Sequence, residues 1–243
     1  MKPFLLVSTR PEEEALVSEY QAYLRSSGLE EDRLELAEFD LIGLPPMTLS
    51  DYQGIFVAGS PYGNTTLGTR VSKTQQWVAE ELREFFSQVL EARVPVLATG
   101  TAMSLLVEEL GGTVAEDNEE LSEISSVAIT REGRDDPLLA DTGEEFLAYV
   151  THTEAVRELP EGAVRLAWSL NCPVQMFRQE DHIYGMQFSP ELDAEAIQQK
   201  LDAYADAGDF GIGDLDMLVS TGRHQTGSQK AASILRNFVK KFG

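Results

Sequence analysis

One stretch of the sequence, from Val94 to Leu110, constrains the fold more than any other. It begins with a short apolar run typical of a buried strand, breaks at Ala98-Thr99-Gly100-Thr101, and continues with apolar residues at helical spacing. This pattern predicts a strand, a sharp turn and a helix, the elbow on which many α/β enzymes hold a nucleophile beside the first amides of a helix. The residue at the turn is Gly100, which has no side chain to attack a substrate.

The segments before this elbow alternate between strand and helix patterns. Strands are predicted at 4–7, 33–39 and 52–58, and amphipathic helices at 11–26 and 71–92. Strands separated by helices require right-handed crossovers, which produce a parallel sheet whose loops at the carboxyl ends of the strands form the site.

Short alternating runs follow the elbow and predict antiparallel additions to the sheet. They lie at 125–131, 146–152, 163–169, 173–178 and 183–188. Helices are predicted at 194–207 and 228–242, separated by a Gly- and Asp-rich insertion at 208–227 that is longer than an ordinary connection. This insertion is interpreted as a lid, as a partner-binding element or as plain surface irregularity, and the sequence does not decide between them.

The length and apolar content suit a single domain over residues 1–243. The chain has 243 residues, of which 42% are hydrophobic, enough for one sizeable core. Together with the alternation of strands and helices, this predicts a three-layer α/β fold with a mostly parallel central sheet flanked by helices.

The composition is strongly acidic. Asp and Glu number 41 against 19 Lys and Arg, which gives a formal net charge of -22. A field of this sign repels phosphate backbones and anionic lipids, so we expect neither nucleic acid nor a membrane surface as a partner. No apolar run approaches the ~20 residues of a membrane span, and the first apolar run is too short for a signal peptide. The sequence predicts a cytoplasmic protein, either ordinarily acidic or adapted to salt.

Cysteine and histidine are scarce. The single cysteine, Cys172, excludes a disulfide framework and a metal cluster built on cysteines, and it is expected to be a small buried residue. His182 and His224 show no metal-ligand spacing, whereas His152 is interpreted as a partly exposed loop imidazole or as a residue facing the cleft. We predict neither a metal site nor a cofactor.

Three stretches together resemble the class I glutamine amidotransferase family, in particular its stand-alone members similar to the glutaminase domain of GMP synthase. Residues 52–61, Tyr-Gln-Gly-Ile-Phe-Val-Ala-Gly-Ser-Pro, resemble the family's strand and oxyanion loop. Residues 94–106 with Gly111-Gly112 resemble the elbow Pro-Val-Leu-Gly-Ile-Cys-x-Gly-x-Gln-Leu-Leu, and residues 184–191 resemble Gly-x-Gln-Phe-His-Pro-Glu. Supporting matches lie at 152–162 and 234–238, so the resemblance spans about residues 4 to 240 and implies the family's flavodoxin-like α/β fold.

In that family a Cys thiolate attacks the side-chain amide of glutamine, a His transfers protons, and a Glu orients the His. The resemblance places the Cys position at Gly100, the His position at Ser189 and the Glu position at Glu191. Glycine supplies no nucleophile, and serine cannot shuttle protons near neutral pH. In a serine protease, loss of the nucleophile alone lowers turnover by about six orders of magnitude. The resemblance therefore implies a pseudoenzyme, inactive as a glutaminase.

Binding can outlast catalysis in such a protein, because backbone donors survive the replacement of side chains. Gly59, Ser60 and the amides around Thr101 are candidate ligands for an anion or a carbonyl oxygen, which leaves open a small molecule in a vestigial glutamine cleft. The sequence shows no synthetase segment, so amination chemistry would need a separate synthetase or other protein chain. We expect a protein that acts by binding or as a regulatory or structural subunit.

Two alternatives stay open. Thr99 or Thr101 could serve as the nucleophile of a hydrolase or transferase with altered chemistry, although the expected general base is missing. The chain could also be a purely structural homo-oligomer with a filled cleft. Ser189-Pro190-Glu191 could be retained for structure alone, because Ser at the N-cap, Pro at the first position and a carboxylate in the first turn favour the start of a helix.

Overall fold

The computed structural model describes residues 1–39, 43–61, 72–116, 118, 120–192 and 227–243. The strands are β1 (Phe4–Ser8), β2 (Leu34–Glu38), β3 (Ile55–Val57), β4 (Val96–Thr99), β5 (Thr113–Ala115), β6 (Glu120–Ile129), β7 (Glu145–His152), β8 (Ala155–Glu158), β9 (Val164–Trp168), β10 (Met176–Gln179) and β11 (Ile183–Met186). The α-helices are α1 (Glu13–Ser27), α2 (Lys73–Ala92), α3 (Thr101–Glu109), α4 (Arg131–Arg134) and α5 (Gly227–Phe242). The helix predicted at 194–207, the insertion up to residue 226, and His224 lie outside the described residues.

Within the described residues, one mixed sheet of nine strands forms the centre of the fold, in the order β2-β1-β3-β4-β11-β10-β9-β6-β7. The neighbours from β2 to β11 pair in parallel, and the remaining neighbours pair antiparallel. The predicted parallel sheet with antiparallel additions is therefore confirmed. The sequence did not predict β5 and β8, which form a separate antiparallel pair.

Helices cover both faces of the sheet. Side chains of β1 alternate between two apolar clusters, with Phe4 and Leu6 on one face and Leu5 and Val7 on the other. The first cluster includes side chains of α1 and α5, and the second includes side chains of α2 and α3. Both faces of β1, β3 and β4 are buried, which explains why these strands have continuous apolar sequences. The predicted three-layer α/β architecture is confirmed.

The helix ends follow from local chemistry. At the start of α2, Ser72 Oγ accepts a hydrogen bond from the amide of Gln75 at 3.1 Å, and Gln75 Oε1 accepts one from the amide of Ser72 at 2.8 Å. Gly28 ends α1 in the left-handed conformation, with φ 73°. None of the described helices is long and apolar enough to cross a membrane.

The charge of the chain predicts a stability that depends on salt. A formal charge of -22 destabilises the compact state by self-repulsion. Raising KCl from about 0.1 M to about 1 M shortens the Debye length from about 10 Å to about 3 Å. We expect this change to stabilise the fold by about 1 kcal/mol, a rise in the thermal midpoint of about 2–4 °C, measured by circular dichroism. Sucrose at matched viscosity is the control for general solvent exclusion, and a midpoint that stays constant or falls with KCl would contradict the prediction.

Candidate functional site

The elbow predicted from the sequence joins β4 to α3. Gly100 lies between these elements with φ 53° and ψ -127°, a backbone conformation that residues other than glycine rarely adopt. Its amide donates to the carbonyl of Met186 at 2.8 Å, at the end of the neighbouring strand β11. Its carbonyl accepts from the amides of Met103 at 3.0 Å and Ser104 at 3.3 Å. Hydrogen bonds to the sheet and to the helix therefore fix the elbow.

The loop after β3 lies directly against this elbow. A Cβ built on Gly59 would lie 3.3 Å from the carbonyl oxygen of Thr99 and 3.7 Å from Gly100 Cα. Among the described residues, the nearest heavy atom to a Cβ built on Gly100 is Gly59 Cα, at 3.6 Å, an ordinary van der Waals distance. Position 100 thus has room for a first side-chain atom, although its φ favours glycine.

Two threonines fasten the loop to the elbow. Thr99 is buried, with 1% of its surface exposed, and its Oγ1 accepts a hydrogen bond from the amide of Gly59 at 3.0 Å. The same Oγ1 lies 3.3 Å from the hydroxyl of Tyr23. Thr101 Oγ1 donates to the carbonyl of Ser60 at 3.3 Å. Both threonine hydroxyls therefore make contacts that hold the site together.

Tyr23 packs beneath the elbow as a protonated phenol. Burial raises the pKa of Tyr23 well above its ordinary value, and the nearby carboxylates of Glu191 and Glu19 raise it further. These interactions place the Glu191 side chain, which is itself buried, close to the base of the elbow. The backbone carbonyl of Glu191 accepts a hydrogen bond from Ser26 Oγ at 3.2 Å, which attaches this segment to α1.

Ser189 follows β11, the strand that pairs in parallel with β4. Its amide donates to the carbonyl of Tyr149 in β7 at 3.2 Å. Since parallel strands end at the same edge of a sheet, Gly100, Ser189 and Glu191 lie at one edge together with Gly59 and Ser60. We call Gly59, Ser60, Gly100, Thr101, Ser189 and Glu191 the elbow site. The helix expected to begin at Ser189 would continue beyond residue 192, outside the described residues.

A charged group that sequence reasoning missed lies at the end of β1. Arg10 Nε donates to Glu19 Oε1 at 2.8 Å, and Ser8 Oγ donates to Glu19 Oε2 at 2.5 Å. The side chains of Arg10 and Glu19 are 15% and 6% exposed. The signal in the sequence was the polar run Ser8-Thr9-Arg10 directly after an apolar strand, the position where α/β sheets bind ligands.

A second buried polar cluster surrounds Glu120 at the start of β6. Its carboxylate accepts hydrogen bonds from Ser125 and Ser169, lies 2.9 Å from His152 Nε2, and accepts from Gln175 Nε2 at 2.5 Å. Burial by itself would raise the pKa of Glu120, but the hydrogen bonds from His152, Ser169 and Ser125 outweigh it and lower the pKa.

The interpretation of His152 as a partly exposed loop residue is wrong. His152 is the last residue of β7 and only 7% exposed, because the strand carries its ring into the cluster around Glu120. Cys172 is fully buried, as expected, and burial raises the pKa of its thiol to about 12. Such a thiol is protonated at neutral pH and cannot act as a substitute nucleophile.

The family of the chain follows from its sequence as a whole. The family described as glutamine amidotransferase class-I matches residues 21–201. The chain belongs to the class I glutamine amidotransferase family. Membership agrees with the resemblance carried by the elbow and by the segment that ends at Glu191.

Curated relatives of this amidotransferase family member include GMP synthases. The glutamine-hydrolyzing GMP synthase of Dehalococcoides mccartyi strain CBDB1 is 32% identical over 43% of this chain and 19% of its own length. One subunit of the glutamine-hydrolyzing GMP synthase of Natronomonas pharaonis is 32% identical over 49% of this chain and 66% of its own length. The corresponding subunit from Haloarcula marismortui is 35% identical over 43% of this chain and 55% of its own length. The matches thus span less than two thirds of each of these relatives.

Solved structures confirm the fold of the family. A glutamine amidotransferase from Thermotoga maritima superposes with a TM-score of 0.78 at 16% identity, covering 100% of this chain and 98% of its own. A glutamine amidotransferase from Methylobacillus flagellatus gives a TM-score of 0.71 at 17% identity, covering 100% of this chain and 96% of its own. At such identities the likeness establishes the flavodoxin-like α/β fold alone.

Proposed function

We propose that this class I glutamine amidotransferase-like protein does not hydrolyse glutamine and acts by binding, as a regulatory or structural subunit. One observation supports this proposal above the others: the tip of the elbow is Gly100, in a conformation where a nucleophile would otherwise stand. A residue with a side chain would be strained there by about 1–3 kcal/mol, a strain that glycine does not carry. The turn therefore has the backbone conformation of a nucleophile elbow, without the strain and without a nucleophilic side chain.

Ser189 supports the same conclusion from the neighbouring strand. The alignment of motifs gives Ser189 the position of the proton-transferring His, and Glu191 the position of the carboxylate that would orient it. A serine hydroxyl does not accept a proton near neutral pH, so the remaining carboxylate has no imidazole at position 189 to orient. Two cooperating positions are changed together, which favours a loss of hydrolysis over a shift in its efficiency.

Backbone donors at the elbow support a binding role. The first amides of α3 that donate to the carbonyl of Gly100 are those of Met103 and Ser104. The amides of Thr101 and Ala102 precede them at the start of the helix, where backbone amides have no acceptor within the helix itself. The N-terminus of a helix attracts negative charge. We infer that the elbow site binds a small molecule through a carboxylate or carbonyl oxygen.

A separate partner chain fits the relatives' organisation. The names of two relatives describe one subunit of a GMP synthase, which implies a chain that works beside another chain. We propose that any amination chemistry associated with this protein takes place on a separate synthetase or other protein, in the cytoplasm. Self-association into a homo-oligomer is compatible with this arrangement.

The alternative nucleophiles receive no support from the hydrogen bonds at the elbow. Thr99 is buried between Gly59 and Tyr23, and Thr101 Oγ1 is bonded to the carbonyl of Ser60. A hydroxyl nucleophile needs a general base within hydrogen-bond reach, and these contacts supply none. A fluorophosphonate probe is expected to leave both threonines unlabelled, as read by mass spectrometry.

The decisive experiment measures release of glutamate and ammonia from glutamine by the purified protein. We expect turnover below ~0.1 per second, against a median near 10 per second for enzymes, because nucleophile and base are both missing. The assay is run alone and with a purified GMP synthetase partner, and an active class I glutaminase in the same buffer is the positive control. Turnover above that limit in either arm would refute the proposal.

A further inference from the structure

A group of metal-ligating side chains lies outside the elbow site, where β6, β7 and the segment before β10 meet. The Sγ of Cys172, a ring nitrogen of His152 and a carboxylate oxygen of Glu120 all lie within 4.8 Å of one another. The side chains of His152 and Glu120 are 3% and 0% exposed, and Cys172 is 0% exposed. Substrates cannot reach groups buried to this degree, whereas a metal ion can be enclosed by them.

Two polar atoms of this cluster lack hydrogen-bond partners among the described residues. His152 contacts Glu120 through Nε2, and its other ring nitrogen, Nδ1, is buried without a partner. Gln175 donates through Nε2 to Glu120 and to Ser169, and its Oε1 is also buried without a partner. Buried polar atoms are nearly always paired, so each of these atoms requires an explanation. A bound cation would supply the missing partner.

We propose that Cys172, His152 and Glu120 form a binding site for a zinc-type divalent cation. A thiolate, an imidazole and a carboxylate are the ligands that Zn²⁺ takes in proteins, whereas Mg²⁺ and Ca²⁺ select oxygen atoms alone. Gln175 Oε1 offers an oxygen for the fourth position. On binding, the S–H bond of Cys172 breaks, an S–Zn bond forms, and the proton passes to the solvent.

The hydrogen bonds to Glu120 resemble those that orient carboxylate ligands in metal sites. Carboxylate ligands are commonly held by further hydrogen bonds that fix their orientation, and Ser125 and Ser169 donate to Glu120 Oε1 at 2.9 Å and 2.8 Å. The backbone carbonyl of Gln175 accepts from the amide of Gln187 at 2.9 Å, two residues before Ser189. The cation would therefore link β6, β7 and the segment before β10, next to the elbow site. Metal binding does not depend on the proposed loss of catalysis.

The first test uses the metal alone with the wild-type chain. After treatment with a chelator, the protein is titrated with Zn²⁺ in competition with a chromophoric chelator, and we expect one equivalent to bind. Replacement by Co²⁺ is expected to give a sulfur-to-cobalt charge-transfer band in the near ultraviolet. Failure to bind one equivalent of Zn²⁺, or a Co²⁺ spectrum without that band, would overturn the proposal without any variant.

Variants locate the ligands. Cys172→Ser and His152→Gln are each expected to weaken Zn²⁺ binding by at least about tenfold, with circular dichroism used to verify folding. His182→Gln is the matched control, because His182 pairs with the exposed Asp181 at 3.0 Å and is expected to leave the affinity unchanged. An affinity unchanged in Cys172→Ser, or lost in His182→Gln, would place the metal elsewhere and refute the assignment.

Discussion

Replacing Gly100 by Cys and Ser189 by His in the same protein is expected to raise glutamine hydrolysis far above the wild-type level. The expected rise is about a hundredfold or more over background, the low end of what a positioned general base contributes once it has a nucleophile to activate. In the restored reaction the thiolate attacks the amide carbon, the imidazole gives its proton to the departing ammonia, and water then hydrolyses the thioester to glutamate.

The geometry of the elbow favours this result. A Cβ at position 100 would meet only Gly59 Cα among the described residues, at 3.6 Å, so the first side-chain atom fits. The φ of 53° makes the substitution cost about 1–3 kcal/mol of stability, which thermal unfolding will register as a lower midpoint. The family resemblance places Glu191 at the position that would orient the new imidazole.

Single substitutions are the controls for the double variant. Residues that act as a unit in catalysis are strongly non-additive, so Gly100→Cys alone and Ser189→His alone are expected to show no gain. Adding Glu191→Gln to the double variant should lower its turnover again. The folded double variant could bind glutamine and still show only background turnover. Restoring the nucleophile and the base would then not be enough for catalysis, and the interpretation of the elbow site as an otherwise intact glutaminase site would be wrong.

The elbow could be predicted from the sequence because the residues that determine it are adjacent in the chain. A buried parallel strand is apolar on both faces, and the break at Thr99-Gly100-Thr101 separates it from a helix with its own periodicity. The same holds for β1 and β3, whose apolar runs were enough to place them. The sequence left the backbone conformation of Gly100 open, and only the structure gives it a φ of 53°.

The cluster around Glu120 could not be predicted because its partners are distant in sequence. Glu120 stands in an acidic run that is typical of a solvated surface, yet it contacts His152 and Gln175, which are 32 and 55 residues away. The short pair β5 and β8 was missed for a related reason. These two strands are as short as β3 and β4 but have polar residues in place of a continuous apolar run, so their pairing depends on the tertiary structure around them.

Replacing Thr99 by Val will destabilise the fold by about 2 kcal/mol, a larger loss than the same change at Thr101. Valine keeps the shape of the buried side chain but removes the oxygen that accepts from the amide of Gly59 and contacts the hydroxyl of Tyr23. Burial raises the pKa of Tyr23 well above its ordinary value, so this phenol keeps its proton and still needs a partner.

Thr101→Val is the matched control, because it removes a single hydrogen bond of 3.3 Å from a residue that is partly exposed, and its expected cost is below about 1 kcal/mol. Urea unfolding measures both variants, and a changed midpoint at constant slope reports a true change in stability. Equal losses in the free energy of unfolding for the two variants would contradict the assignment of Thr99 as the residue that holds the loop after β3 against the elbow. Any hydrolytic activity that disappears in Thr99→Val without loss of stability would instead make this hydroxyl a nucleophile. The two substitutions thus separate a threonine that holds the elbow together from one that performs chemistry on it.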